Sequence, residues 1–314
     1  MPGGFNFIIS SAWLINLHLM AKEYEIIEKI GEGISGIVFK GCDPETQQIV
    51  AVKTIFFHEH GGVPSSVIRE IAILKVMDHP NIVKMLDVQT QDNIVNIVFE
   101  YIESDLLNFL ESAPLMTQSP EVVKRFLHNI LSGVLYLHRN NIVHRDLKTD
   151  NMLIDSADSD VKLADFGFSR EIDIHLRSLT KQVGNIDNMA PEVLLGSDKY
   201  STPSDIWAVG CVFAEIVMGR RLFGERGHPY ERLNDICRIL GTPNEEMWPE
   251  MTLLFPVVST RRIFPPKNLA EVVQGLEPAG INLLSNMLRW NPSDRITAAE
   301  ALKHEYFHGI QGHM

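Results

Sequence analysis

IVHRDLKTDN, running from Ile142 to Asn151, is the stretch from which the rest of the chain can be understood. Asp146, Lys148 and Asn151 stand within six positions, on a short loop between a helical run and a strand-like run. An aspartate can accept a hydroxyl proton, a lysine can neutralise a migrating phosphate, and an asparagine can ligate Mg²⁺. Moving a phosphoryl group asks for little covalent help beyond an aligned nucleophile, screened charge and a held metal. The other parts must then lie elsewhere in the chain, at the right distances.

A length of 314 residues suits one large domain or two lobes sharing a cleft, and 45% apolar content supports sizeable cores. The formal charge of −12 lacks the basic stripe of a nucleic-acid platform, so no nucleic-acid partner is expected. A few local cations still suffice for a triphosphate. Cys42, Cys211 and Cys237 are far apart and lack metal-ligand spacing, which fits reduced thiols in an intracellular protein of the cytoplasm or nucleus. Residues 1–22 carry no charge before Lys22. They have neither the basic start of a secretory signal nor an unbroken membrane span, because Asn6, Ser10, Ser11, Asn16 and His18 interrupt the apolar run. They are expected to be a non-catalytic extension ahead of a domain that begins at AKEYEIIEKI.

From Tyr24 the chain alternates as strands: EYEIIEKI, GIVFKG and QQIVAVKTIFF, broken by glycines and by the turn signal DPET. Gly31-Glu32-Gly33-Ile34-Ser35-Gly36 is a G-x-G-x-x-G between two strands rather than before a helix. That context suits a flap over phosphates, with Val38 closing on a base, and disfavours a dinucleotide-binding turn. Lys53, in AVK on the third strand, is placed for α/β-phosphate and needs a counter-ion. PSSVIREIAILKVM predicts a helix with Pro64 in its first turn, an apolar stripe of Val63, Val67, Ile71 and Leu74, and Glu70 beside it. VKMLDVQT and NIVNIVFEY predict two more strands, after which the sequence turns helix-rich. Ser119-Pro120 starts a helix with the stripe Val122, Phe126, Ile130, Val134 and Leu137. Thr202-Pro203, and Thr297 with Glu300, read as capping signals.

Glycine loop, AVK, helix glutamate, HRDLKxxN, Asp165-Phe166-Gly167, Ala190-Pro191-Glu192 and SDIWAVGC occur in that order, and together they resemble the protein kinases. The resemblance implies an α+β, bilobal kinase fold over residues 23–307. It would comprise a β-rich N-lobe (23–102) with one regulatory helix and a helical C-lobe (103–307), followed by a tail at 308–314. PSSVIRE, RRLF, LNDICRILGTPNEEMWP and ALKHEYF are similar to the cyclin-dependent kinases in particular. That family implies ATP and Mg²⁺ as cofactors, protein substrates, and a cyclin-like subunit on the PSSVIRE helix. The implied nucleotide contacts are Ile30, Gly31, Glu32, Gly33, Gly36, Val38, Ala51, Lys53, Glu100, Ile102, Asp105, Lys148, Asn151, Leu153 and Asp165. Among these, Glu100 and Ile102 would meet the adenine edge through their backbones and Asp105 the ribose, with Phe99 as gatekeeper. Asp146, Lys148, Lys53 and Glu70 are the implied catalytic set, and Asn151 and Asp165 the metal ligands. Thr180 falls at the activating phosphothreonine, with Arg69, Arg145 and Arg170 at the phosphate-binding positions. Asp205 would brace the catalytic loop, and Glu192 would pair with Arg295.

The departures from the family are specific. Its inhibitory Thr-Tyr pair is Ile34-Ser35 here, and its KPxN is KTDN, with Thr149 for proline. Its threonine and Trp-Tyr-Arg run before the APE motif are replaced within VGNIDNM, so that Asn185 stands for the threonine and Met189 for the arginine. Gly184 still permits a positive-φ turn. An active proline-directed Ser/Thr kinase is the first reading that follows, and a pseudokinase scaffold that binds a partner or nucleotide is the second.

Overall fold

The computed structural model describes residues 23–33, 36–58, 62–112, 119–156, 160–172, 186–196, 200–224, 228–249 and 263–309. The positions 1–22, Ile34, Ser35, Thr180, Gly184 and Asn185 singled out above lie outside them. The chain forms two compact units, one running to Val76 and resuming over Lys84–Tyr101, the other comprising Met77–Val83 and Ile102 onward.

The first unit is built on an antiparallel sheet of β1 (Glu25–Gly33), β2 (Gly36–Cys42), β3 (Ile49–Phe56), β4 (Met85–Gln91) and β5 (Ile94–Glu100), with α1 (Ser65–Lys75) inserted after β3. The strand order is β1-β2-β3-β5-β4. Side chains alternate between faces, and directly paired residues share one. The register Val38↔Lys53↔Ile97 and Lys40↔Ala51↔Phe99 therefore puts Val38, Ala51, Lys53 and Phe99 on one face. Ile55, Val95 and Ile97 lie on that same face, where they pack with Val67 of α1. Val50, Val52 and Val98 form a separate cluster with Tyr24 on the opposite face. The odd–even pattern of VAVKTI thus sends its lysine toward the helix and its valines away.

β1 and β2 pair as far as Gly33↔Gly36, a strand–glycine–strand hairpin. The glycines in it are not equivalent. Gly36 has φ +130°, and a Cβ there would lie 2.6 Å from the Thr54 carbonyl oxygen, whereas a Cβ on Gly33 would meet nothing within 4 Å. Gly36 is required by the fold itself.

The second unit holds β6 (Ser104–Asp105), α2 (Leu106–Ser112), α3 (Pro120–Arg139), β7 (Ile142–Val143), β8 (Met152–Ile154), β9 (Lys162–Leu163) and β10 (Arg170–Glu171). They are followed by α4 (Pro191–Leu194), α5 (Thr202–Met218), α6 (Pro229–Leu240), α7 (Leu269–Val272), α8 (Pro278–Met287) and α9 (Ala298–Ala301). β6, β8 and β9 form a small sheet, and β7 pairs with β10. α5 is buried nearly all round, as its apolar sequence requires, with Ile206, Trp207, Val209, Val212, Phe213 and Ile216 all at 1% exposure or less. Among the described residues no helix is long and apolar enough to cross a membrane.

The helix read from Ser119-Pro120 starts there, with Ser119 as its cap, whereas two other starts shift by a position from the sequence reading. Pro64 is the cap residue of α1 (φ −55°, ψ 137°), where its missing N–H costs nothing, rather than part of the first turn. Thr202 is the first residue inside α5, and Ser201 holds the cap position without a side-chain bond. Thr297 and Glu300 do form a reciprocal capping box on α9. On α3 the buried face begins at Val123, not Val122, and continues through Phe126, Leu127, Ile130 and Val134, following the 3.6-residue turn.

Gly36→Ala should lower the thermal midpoint measurably, since both φ and the Thr54 carbonyl oppose a side chain. Gly33→Ala should leave the midpoint within about a degree of wild type, given how little surface changes cost. Differential scanning fluorimetry on the two variants checks the contrast.

Candidate functional site

In the first unit, Lys53 and Glu70 are both buried, and Lys53 Nζ donates to Glu70 Oε1 at 2.7 Å. Two charges out of water persist only when paired. Here strand parity supplies one and the turn of α1 that carries Val67 supplies the other. Val38 and Ala51 share the lysine's face. Ile30 and Glu32 are exposed on β1, and Gly31 pairs with Val38. Glu100 ends β5, where its carboxylate accepts from the Lys84 N–H at 2.7 Å.

In the second unit the loop after β7 hangs on one carboxylate. Asp205, on the first turn of α5, is wholly buried. It accepts from the backbone N–H groups of His144 (2.9 Å) and Arg145 (3.0 Å), and from His138 Nε2 at 3.0 Å. Burial alone would raise its pKa, but the His138 hydrogen bond and the Arg145 N–H outweigh burial and hold the carboxyl below its ordinary value. Arg145 is turned to φ +72°, a conformation that the two N–H bonds to Asp205 maintain.

His144 is fully buried, with Nδ1 accepting from the Asp146 N–H (3.3 Å) and Nε2 donating to the Ala164 carbonyl (3.0 Å). A backbone N–H only donates and a carbonyl only accepts, so the ring is the neutral Nε2–H tautomer. It rests against Phe166, with centroids 4.9 Å apart.

Asp146, Lys148, Asn151 and Asp165 come together on this frame. Asn151 Nδ2 donates to both the Asp146 carboxylate and its carbonyl, each at 2.8 Å. Lys148 Nζ lies 3.9 Å from Asp146 Oδ2. The Asn151 carbonyl accepts from the Ala164 N–H at 2.9 Å, which sets Asp165 next to Asn151. Asp165 has φ +56° and accepts weakly from the Gly167 N–H at 3.4 Å. Asp105 and Leu153 are register partners on β6 and β8. Both Asp105 oxygens are taken by Asn108, from its N–H (2.8 Å) and its Nδ2 (2.6 Å), so this aspartate caps α2.

Arg170 pairs in register with Val143, two residues before Arg145. The Arg145 guanidinium lies over the Tyr200 ring at 5.3 Å. Arg69, on α1, buries an Nη1 that has no hydrogen-bond partner among the described residues, and burial lowers its pKa. Further along, Glu192 and Arg295 form a buried fork, with bonds of 2.6 and 2.7 Å, joined by Ser204 Oγ at 2.9 Å.

A family model described as protein kinase domain matches residues 24–307. The chain belongs to the protein kinase family. Members of this family use ATP and Mg²⁺ generally, and the donor set fits both. Both N–H bonds of the Asn151 amide are spent on Asp146, and the amide oxygen makes neither of them. An amide oxygen and a carboxylate are hard donors of the kind Mg²⁺ takes, so Asn151 and Asp165 would hold it. None of the three cysteines is in a disulfide, and burial pushes the Cys211 thiol up to about 12, which leaves it inert.

Sequence reasoning missed four pairings in this kinase. Thr149 Oγ1 donates to Glu215 Oε2 at 3.1 Å, and Asn188 Nδ2 donates to the Leu147 carbonyl at 3.1 Å. Asp187 pairs with both Arg221 and Arg232. Arg232 was detectable: it sits in the stripe of Leu233, Ile236 and Cys237 on α6, where a charge implies a buried partner.

Glu192→Ala should cost about 3–5 kcal/mol in chemical denaturation, because it strands a guanidinium with no exposure. Asp205 has a folded pKa below its ordinary 3.8, so its stabilisation is complete above that value and drains as pH falls through the lower folded value. Asp205→Asn should therefore be less stable at neutral pH and decline less steeply in acid, as followed by circular dichroism.

Proposed function

We propose that this kinase is a serine/threonine protein kinase of the cyclin-dependent type, transferring the ATP γ-phosphate to protein hydroxyls. The observation that carries the proposal is the two-point clamp of Asn151 on Asp146, which aims the Asp146 carboxylate. In this reading Asp146 orients the substrate hydroxyl and accepts its proton, and Lys148 steadies the charge of the phosphoryl group in flight. Asn151 and Asp165 would hold Mg²⁺, whose chemistry is to neutralise charge across the phosphates. Lys53, fixed by Glu70, would take the α/β-phosphates beneath the backbone of Gly31, Glu32, Gly33 and Gly36. Ile30, Val38, Ala51 and Leu153 would enclose the adenine, and the backbones of Glu100 and Ile102 would bond its edge. Asp105 would reach the ribose by exchanging a bond to Asn108.

Regulation follows from the same residues. Glu70 rides on α1, so a cyclin-like subunit on the PSSVIRE helix would act on the Lys53–Glu70 pair. The unpartnered Nη1 of Arg69 among the described residues supports an anionic partner such as phospho-Thr180, for which Arg145 and Arg170, whose strand pairs with Val143, would be further cations. Met189, buried where the family has arginine, lines a recess of about 10 Å³ with Asp146 and Tyr200. That rebuilt wall is the observation favouring a scaffold instead.

Purified chain with a cyclin panel and Mg-ATP should label a Ser-Pro peptide, and Asp146→Asn should abolish the label. Equal silence of both proteins, with nucleotide still bound, would establish the scaffold. Thr180→Ala should prevent stimulation by an activating kinase; unchanged stimulation removes that threonine from the account.

A further inference from the structure

The stretch before APE differs from the cyclin-dependent pattern most sharply at Asp187, which stands in place of a tryptophan. An aspartate on that wall needs a reason, and the second unit supplies one. Arg232, on α6, has no solvent exposure, and its Nη2 donates to Asp187 Oδ1 while Nη1 donates to the Phe223 carbonyl. A guanidinium so placed must be neutralised in situ, since a buried unpaired cation costs several kcal/mol. The carboxylate that does so belongs to the turn Ile186–Asn188, so burial of Arg232 requires that turn to be docked.

The same aspartate holds Arg221 through Oδ2, and Arg221 Nε lies 3.9 Å from Glu215 Oε1. Glu215 Oε2 accepts from Thr149 Oγ1, the residue directly after Lys148. Two of the chain-specific replacements, threonine for proline in the loop and aspartate for tryptophan before APE, are therefore joined in one polar chain. It runs Thr149–Glu215–Arg221–Asp187–Arg232. Asn188 closes it from the other side with its bond to the Leu147 carbonyl. Burial wins and holds the Glu215 carboxyl above its ordinary value, with the Thr149 hydroxyl and Arg221 opposing the rise.

We propose that Asp187, with Arg221, Arg232, Glu215 and Thr149, is a positioning network that locks the 186–189 segment to the catalytic loop. The network takes over, by charge, the support that the family obtains from a tryptophan and a proline. It acts through Leu147 and Lys148 rather than on the reacting atoms, and its kinetic consequences rest on the kinase reading above.

Two variants test it on the full chain: Arg221→Gln, at a partly exposed site that should fold, and Asp187→Asn, with Asp187→Glu as the conservative rescue. Amide hydrogen exchange should accelerate across residues 147–151 in both, although neither substitution is in that loop, and Asp187→Glu should restore protection. In the presence of a cyclin that activates wild type, kcat/KM for a peptide should fall roughly 10- to 100-fold, as misplacement of a reacting group allows. The KM for ATP should stay put. Unchanged exchange at 147–151 overturns the proposal. So does a lowered thermal midpoint with peptide and ATP constants unaltered per folded molecule. If wild type is inactive yet the exchange response is seen, the network stands and the kinase reading fails.

Discussion

One buried carboxylate governs the helical unit. Asp205 sits without solvent at the start of α5 and gathers two consecutive backbone N–H groups and a histidine. Those bonds hold Arg145 at positive φ, which turns the chain just before Asp146. The carboxylate is tolerable in the interior only because three donors replace its water. Every catalytic-loop geometry described above is downstream of that substitution of protein donors for solvent.

Several layers of restraint succeed one another from there. His144, made neutral by its two neighbours, ties the loop to Ala164. Asn151 ties Asp146 to the strand before Asp165. Leu147 and Thr149 tie it outward to Asn188 and Glu215. Polar networks of this kind are rigid because each member is satisfied by the next and loses a full desolvation cost if released. Rigidity is what a reaction run by positioning demands.

What the sequence revealed followed from short-range rules. Strand alternation set the direction of Lys53, the strand context of the glycines set the hairpin, and the spacing of Asp146, Lys148 and Asn151 placed three groups on one loop. Each depends on neighbours within a few positions. What it concealed depends on distance along the chain: Asp187 finds Arg232 across 45 positions, and Thr149 finds Glu215 across 66. Asp105 was a milder case, since its capping of α2 requires knowing that the helix begins at Leu106. Two helix starts moved by a residue for the same reason, because cap positions are decided by backbone angles that composition does not fix.

The odd–even arrangement of β3 carries an implication for how this gene can change. Lys53 reaches Glu70 because it shares parity with Ala51 and Ile55, while Val50 and Val52 serve the other face. A codon deleted or inserted just before Lys53 would slip the strand by one, turning the lysine to the face of the valines and bringing Thr54 or Val52 to its place opposite the glutamate. Point substitutions can wander through this strand one side chain at a time. Length cannot, and the spacing of AVKTI should be the part of the unit most resistant to evolutionary drift.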